Sequence, residues 1–113
     1  MTSSCLFCKI VAGEIPAAIV AESEHCLAFR DIGPHAPTHV LIIPRKHVES
    51  LNQLDDPAIA AALFAMTREV AEQEGVAASG YRVAINTNAD GNQTVFHLHL
   101  HLLGGRKMTW PPG

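Results

Sequence analysis

No stretch of the 113 residues approaches the ~20 consecutive apolar positions that a membrane-crossing helix needs. Basic residues are scarce as well: 8 Lys and Arg stand against 11 Asp and Glu, for a net charge of −3. A broad nucleic-acid-binding surface normally shows a basic excess, so that class is disfavoured, and only a local phosphate site stays open. Met1-Thr2-Ser3-Ser4-Cys5 lacks the basic region, apolar run and cleavage site of a secretory leader. The expectation is therefore a cytoplasmic protein without membrane or nucleic-acid partners. There are only three cysteines, an odd number, and in the cytoplasm Cys5, Cys8 and Cys26 are expected as thiols rather than a disulfide framework. Repeats, low-complexity tracts and linkers are missing too. With 48% apolar and 17% charged residues, the chain suits one domain, residues 1–113, around one core.

What the chain does have is histidine in one place. Three of its seven histidines fall within five residues, in His97-Leu98-His99-Leu100-His101-Leu102-Leu103. The alternation has a period of two, the pattern of a β-strand. Leu98, Leu100 and Leu102 then form a core face and the imidazoles face the other way. A solvated face would more commonly be Thr, Lys or Glu, so the imidazoles carry a metal, a chemical step, or a polar face of satisfied side chains. One zinc ion cannot take all three. Same-face neighbours on a strand are roughly 6–7 Å apart and the outer pair roughly 13 Å, whereas Zn–N bonds are about 2 Å.

The remaining elements follow in order. Residues 5–12 read as a short helix with Ser4 as N-cap and Gly13 as stop. Ile19 to Glu22 and Cys26 to Asp31 read as strands, the second with Cys26, Ala28 and Arg30 on one face and Leu27, Phe29 and Asp31 on the other. Gly33 to Pro37 is a loop, because its two prolines break any ladder. His39 to Ile43 is a near-continuous apolar run, expected as a central strand that Pro44 ends. The clear helix runs from about Pro57 to Glu74, capped by Asp55 or Asp56. Its stripe is Ile59, Leu63, Met66 and Val70, and Met66 and Phe64 read as packing. Tyr81 to Asn86 is a strand and Thr87 to Gln93 a polar loop. This order predicts an α+β fold with a five-stranded, mostly antiparallel sheet, one short helix and one long one.

Two further groups bear chemistry. Cys5 and Cys8 form a Cys-x-x-Cys, which fits half of a tetrahedral zinc site with histidines as the natural complement. A redox pair and two buried thiols are the competing readings, although a redox pair usually opens a helix in a βαβ setting that this chain lacks. The loop before the histidine run offers Asn86, Asn88, Asp90, Gln93 and Thr94 as phosphate donors. Asp31, at a strand end, suits a ribose hydroxyl. Taken singly, each of these is explained as well by turn geometry.

The histidine run fits the H-φ-H-φ-H-φ-φ motif of the histidine triad (HIT) proteins, where φ is apolar. Phe7-Cys8-Lys9-Ile10 through Gly13-Glu14-Ile15-Pro16, Ala28-Phe29-Arg30-Asp31-Ile32, Ala36-Pro37-Thr38-His39, Gly104-Gly105-Arg106 and Trp110-Pro111-Pro112-Gly113 resemble the branch called histidine triad nucleotide-binding proteins. The resemblance implies a HIT fold, a homodimer, and nucleotidyl transfer to histidine followed by hydrolysis. It implies His99 as nucleophile, His101 as phosphate contact, His97 as the residue that orients the nucleophile, and His39 as a partner behind them. It further implies Asn86 and Thr94 near phosphate and leaving group, Asp31 on the ribose, and Phe7, Ile10, Phe29 and Ile32 around the base.

Substrates implied in this way are purine nucleoside 5′-phosphoramidates and acyl-adenylates, with AMP or GMP released. Dinucleoside polyphosphate hydrolysis, the activity of a sister branch, and nucleotide-dependent regulation with little turnover are the alternatives. Two departures stand out. Asn92 and Thr94 replace the Gly and Ser common in relatives, and Cys5 and Cys8 are absent from many members of the branch. In other HIT proteins a similar Cys pair binds zinc with two histidines, which here correspond to His47 and His97. The implied cofactor is thus a structural zinc ion.

Overall fold

The computed structural model describes residues 4–113, and the reading of Met1 to Ser3 as leader-free lies outside the described residues. A six-residue helix α1 (Leu6–Val11) is followed by strands β1 (Ile19–Glu22), β2 (Cys26–Arg30) and β3 (Thr38–Pro44). A 3₁₀ turn (Leu51–Gln53) leads into the long helix α2 (Pro57–Gln73), and strands β4 (Tyr81–Ala84) and β5 (Leu100–Gly104) complete the chain. The five strands form one antiparallel sheet in the order β1-β2-β3-β5-β4. Among the described residues, no helix is long and apolar enough to cross a membrane.

β3 is central and buried along its whole length, as its apolar run predicts. Its period of two sends Val40 and Ile42 to one face and Leu41 and Ile43 to the other. Cys26, Ala28, Leu100 and Leu102 share the first face, and α2 packs there through Ile59, Leu63, Met66 and Val70. The predicted stripe is therefore the buried one. Asp56 caps α2 by accepting from the Ala58 N–H at 2.9 Å, and Arg30 at the end of β2 donates to both carboxylate oxygens of Glu74 at 2.8 and 2.9 Å. The opposite face carries Leu27, Phe29, Leu41 and Ile43 under Phe7 of α1.

Four details differ from the sequence expectation. Cys5, not Ser4, caps α1, its Sγ accepting from the Cys8 N–H at 3.3 Å. Phe64 is 56% exposed, since it falls one step off the buried stripe. β4 ends at Ala84 and β2 at Arg30, one or two residues early. β5 starts at Leu100, so His97, Leu98 and His99 precede the ladder. Continuing the Ile42–Leu100 register by two residues would set Pro44 against Leu98. Pro44 has no N–H to offer a ladder, and the Leu98 N–H goes instead to the Val48 carbonyl at 2.7 Å. The leucines still alternate inward, with Leu98, Leu100 and Leu102 at most 1% exposed.

Candidate active site

The imidazole side is not a solvated face. His97 is fully buried, His99 is 6% exposed and His101 is half-buried. Burial penalises the charged form, and the pKa values of His39, His97 and His99 all lie below the ordinary value of 6.5 chiefly for that reason. His101 is pushed down to about 4, by burial first and then by its neighbours His99 and His39. The rings are therefore neutral at pH 7, each with one N–H and one lone pair.

The hydrogen bonds then assign every ring. The His99 Nδ1 lies 2.8 Å from the His97 carbonyl and must donate to it, which leaves the lone pair on Nε2. The His97 Nε2 donates to the Pro44 carbonyl at 2.8 Å, so its lone pair is on Nδ1. On β3, the His39 Nδ1 accepts from the His35 backbone N–H at 3.1 Å. Its proton is thus on Nε2, 2.9 Å from the His101 Nδ1 and 3.4 Å from Asp31 Oδ2. His101, accepting at Nδ1, carries its own proton on Nε2. That atom is buried and has no partner among the described residues. A bare lone pair on His99 Nε2 and an unspent N–H on His101 Nε2 therefore stand on neighbouring rings whose centroids are 4.9 Å apart. This is the arrangement for attack on an electrophile whose oxygen needs a donor.

Two cavities meet at these rings. One, of about 300 Å³, is mainly apolar, with Phe7, Ile10, Phe29 and Ile32 in its wall. The other, of about 450 Å³, is polar and takes in Asn86, Asn92 and Arg106. Asp31, Thr94, His99 and His101 border both. The structure thus brings together every nucleotide-site residue named from the sequence, with Ile32 fully exposed at the rim. Gln93 belongs elsewhere. Its amide donates to the Glu49 and Val95 carbonyls and accepts from the Asn88 N–H, so it braces the loop. Asn92 has φ +61°, a left-handed conformation that Gly and Asn tolerate best, so Asn suits the position at which the resemblance leads one to expect Gly. Sequence reasoning assigned no role to His35 or Arg106. Arg106 donates to the His35 carbonyl at 3.0 Å, a long-range pairing without a sequence signal.

Cys5, Cys8, His47 and His97 converge behind the His99 ring, with their ligand atoms all within 4.8 Å of one another. The His97 Nδ1 lies 3.4 Å from the Cys5 Sγ and 3.5 Å from the Cys8 Sγ, and the His47 Nδ1 lies 3.3 Å from the Cys8 Sγ. Zn–S bonds of about 2.3 Å and Zn–N bonds of about 2 Å at a tetrahedral angle set S and N about 3.5 Å apart. The four donors therefore fit a zinc ion, and the His97 Nε2–H on a backbone carbonyl is the usual way of aiming a ligating imidazole. Cys5 and Cys8 are only half-buried, which argues against their being mere apolar filler. A second group, Asp31, His39 and His101, is also compact, but hydrogen bonds already account for it.

The sequence profile of the HIT domain family matches residues 12–108. An uncharacterized HIT-like protein of Synechococcus elongatus is 47% identical over the full length of both chains. The 14 kDa zinc-binding protein of Zea mays is 45% identical over 98% of this chain and 89% of its own. Among solved structures, a HIT family hydrolase from Legionella pneumophila Philadelphia 1 superposes with a TM-score of 0.94 at 53% identity, covering 97% of this chain and all of its own. A histidine triad nucleotide-binding protein from Candida albicans gives a TM-score of 0.84 at 30% identity, over 96% and 83%.

The neutral burial of His39 and His101 predicts a pH-dependent stability. Their folded pKa values lie below the unfolded value of about 6.5. As pH falls through that value, the unfolded chain takes up protons that the folded chain does not, so stability is lost on acidification. Urea unfolding should give a lower midpoint at pH 5 than at pH 7, reflecting a loss of unfolding free energy on the order of 1 kcal/mol or more, with a shallower dependence in His101→Gln. A midpoint constant between pH 7 and 5 would contradict the assignment of neutral rings.

Proposed function

Because the chain belongs to the HIT domain family, we propose that it is a hydrolase of purine nucleoside 5′-phosphoramidates and acyl-adenylates that releases AMP or GMP. The observation that carries this reading is the pairing of the His99 Nε2 lone pair with the unspent His101 Nε2–H at the junction of an apolar and a polar cavity. The hydrolase and nucleotide-binding names of the solved relatives support it. The purine lies between Phe7, Ile10, Phe29 and Ile32, with the ribose against Asp31, and the leaving group occupies the side of Asn86 and Thr94.

His99 Nε2 attacks the α-phosphorus and forms an N–P bond. The P–N or P–O bond on the opposite side breaks, and the leaving group departs with the electron pair, an amine taking a proton from solvent. The His101 Nε2–H stabilises the charge on the phosphoryl oxygens, while the His97 carbonyl keeps the His99 ring oriented and His39 keeps His101 in its donor tautomer. Water then adds to phosphorus, the N–P electrons return to His99 Nε2, and the nucleoside monophosphate leaves. Splitting the displacement in two lowers each barrier.

Cys5, Cys8, His47 and His97 are the ligands of a zinc ion in this reading. With four protein donors it has no open position, so its contribution is structural, tying α1 to the segments after β3 and before β5. The chain acts as a homodimer. β4 is an edge strand with exposed Tyr81, and α2 presents exposed Phe64, the kind of apolar edge that a second subunit covers.

Four measurements test these statements. An adenosine phosphoramidate should turn over faster than a diadenosine polyphosphate. His99→Ala should lose at least a thousandfold in kcat, roughly the scale of losing a nucleophile, yet still bind AMP. Faster polyphosphate cleavage points to the sister activity, and AMP binding without turnover of either substrate points to a regulatory protein. Protein purified without chelator should contain one zinc per chain, and far less would refute the metal assignment. Sedimentation equilibrium should give twice the 12.1 kDa chain mass, and a monomer at micromolar concentration would remove the dimer.

A further inference from the structure

The His97 residue belongs to two systems at once. Its ring closes the thiol–imidazole cluster through Nδ1, and its backbone carbonyl receives the His99 Nδ1–H at 2.8 Å. The ladder does not aim that carbonyl, because residues 97–99 precede β5. Its direction is set by the Leu98 N–H on Val48 and by the contacts of the fully buried His97 ring: Pro44 on one nitrogen and the thiols of Cys5 and Cys8 on the other. The same cysteines hold α1. A six-residue helix is far too short to persist alone, and this one is capped by Cys5 itself. Phe7, between the two cysteines, sets its ring edgewise to His99 at 5.2 Å and to His97 at 5.9 Å, and also lines the apolar cavity.

We infer that Cys5 and Cys8 are positioning residues for the nucleophile: they fix the His97 ring, whose carbonyl holds His99 in its Nδ1–H tautomer, and they seat α1, whose Phe7 closes the apolar cavity against His99. The catalytic consequence rests on His99 being the nucleophile, whereas the geometric coupling does not. If the His97 carbonyl swings away, His99 is free to carry its proton on Nε2, and the lone pair that attacks is lost. If α1 lifts, the apolar wall opens and nucleotide affinity falls.

The test compares the full-length wild type with Cys8→Ser and Cys8→Asp, the latter keeping a metal-binding donor. Two-bond proton–nitrogen correlation spectra read the tautomers of His97 and His99, AMP titration reads affinity, and kcat and KM are measured separately. In Cys8→Ser the His99 signals should become those of mixed tautomers. kcat should fall on the order of a hundredfold, the scale of a misplacement of about 1 Å, and AMP should bind about tenfold more weakly. In Cys8→Asp, the His99 signature and kcat should recover as zinc is titrated in. If Cys8→Ser does not fold, the zinc titration of Cys8→Asp decides alone. Phe7→Leu, which keeps all four ligands, should raise KM while leaving the His99 tautomer unchanged. An unaltered His99 signature with kcat within twofold of wild type in folded Cys8→Ser, or a signature in Cys8→Asp that ignores zinc, overturns the inference. If wild type turns over no nucleotide but its His99 tautomer still follows Cys8, the proposed hydrolase fails and the positioning role stands.

Discussion

A neutral imidazole has one hydrogen to give and one lone pair to fill, and this protein buries several of them in one wall. Burial disfavours the charged form, so at neutral pH a ring does not offer both nitrogens as donors. Each must be placed against a carbonyl or N–H that chooses its tautomer. Pro44 chooses for His97, the His97 carbonyl for His99, the His35 N–H for His39, and His39 for His101. Among these four rings two nitrogens remain outside this accounting, the His99 Nε2 and the buried His101 Nε2, and both rings border the cavities. In the proposed mechanism the reacting pair is what is left when the other nitrogens of His39, His97, His99 and His101 have been spent.

Pro44 shows how one residue serves several of these demands. Its missing N–H stops the ladder between β3 and β5 at Leu100, three residues short of the histidine run's start. Its carbonyl, relieved of a cross-strand partner on that side, takes the His97 ring. The release of residues 97–99 from the sheet lets the His97 carbonyl turn toward the side chain of His99 instead of a neighbouring strand. A regular strand through all three histidines would have committed that carbonyl to the ladder or to solvent.

Much of this was legible in the sequence. The period-two run at 97–103 announced the leucine face, the continuous apolar run announced β3, and the 4-3-4 spacing announced the buried stripe of α2. These signals are local, and burial on one face enforces them. The Cys-x-x-Cys and the histidines were legible as chemistry, and the HIT resemblance assembled them. What stayed hidden depends on pairing between distant segments. The start of β5 is decided by Pro44, more than fifty residues away. The role of Gln93 is decided by the Glu49 carbonyl, and Arg106 is drawn to His35. Cys5 as a cap was obscured because a thiol is a weaker acceptor than the neighbouring hydroxyl of Ser4. Phe64 shows that an aromatic within a helix carries little positional information beside the stripe itself.

The two faces of the sheet are held by different means. Fourteen buried residues form the cluster on the α2 side and only five form the one beneath α1. Burial therefore resides mainly under α2, on the face away from the histidine rings. The α1 side leaves an open cavity beside His99, and an open cavity is apolar surface that cannot be packed. A helix bordering such a cavity has too little burial to hold itself in register. A cluster of polar ligands solves this, because it fixes α1 through a few directional contacts at its N-terminal end and leaves the rest of its inner face, Phe7 and Ile10, to line the cavity. The thiol–imidazole cluster sits behind the histidine run because the site needs precision there and cannot obtain it from close packing.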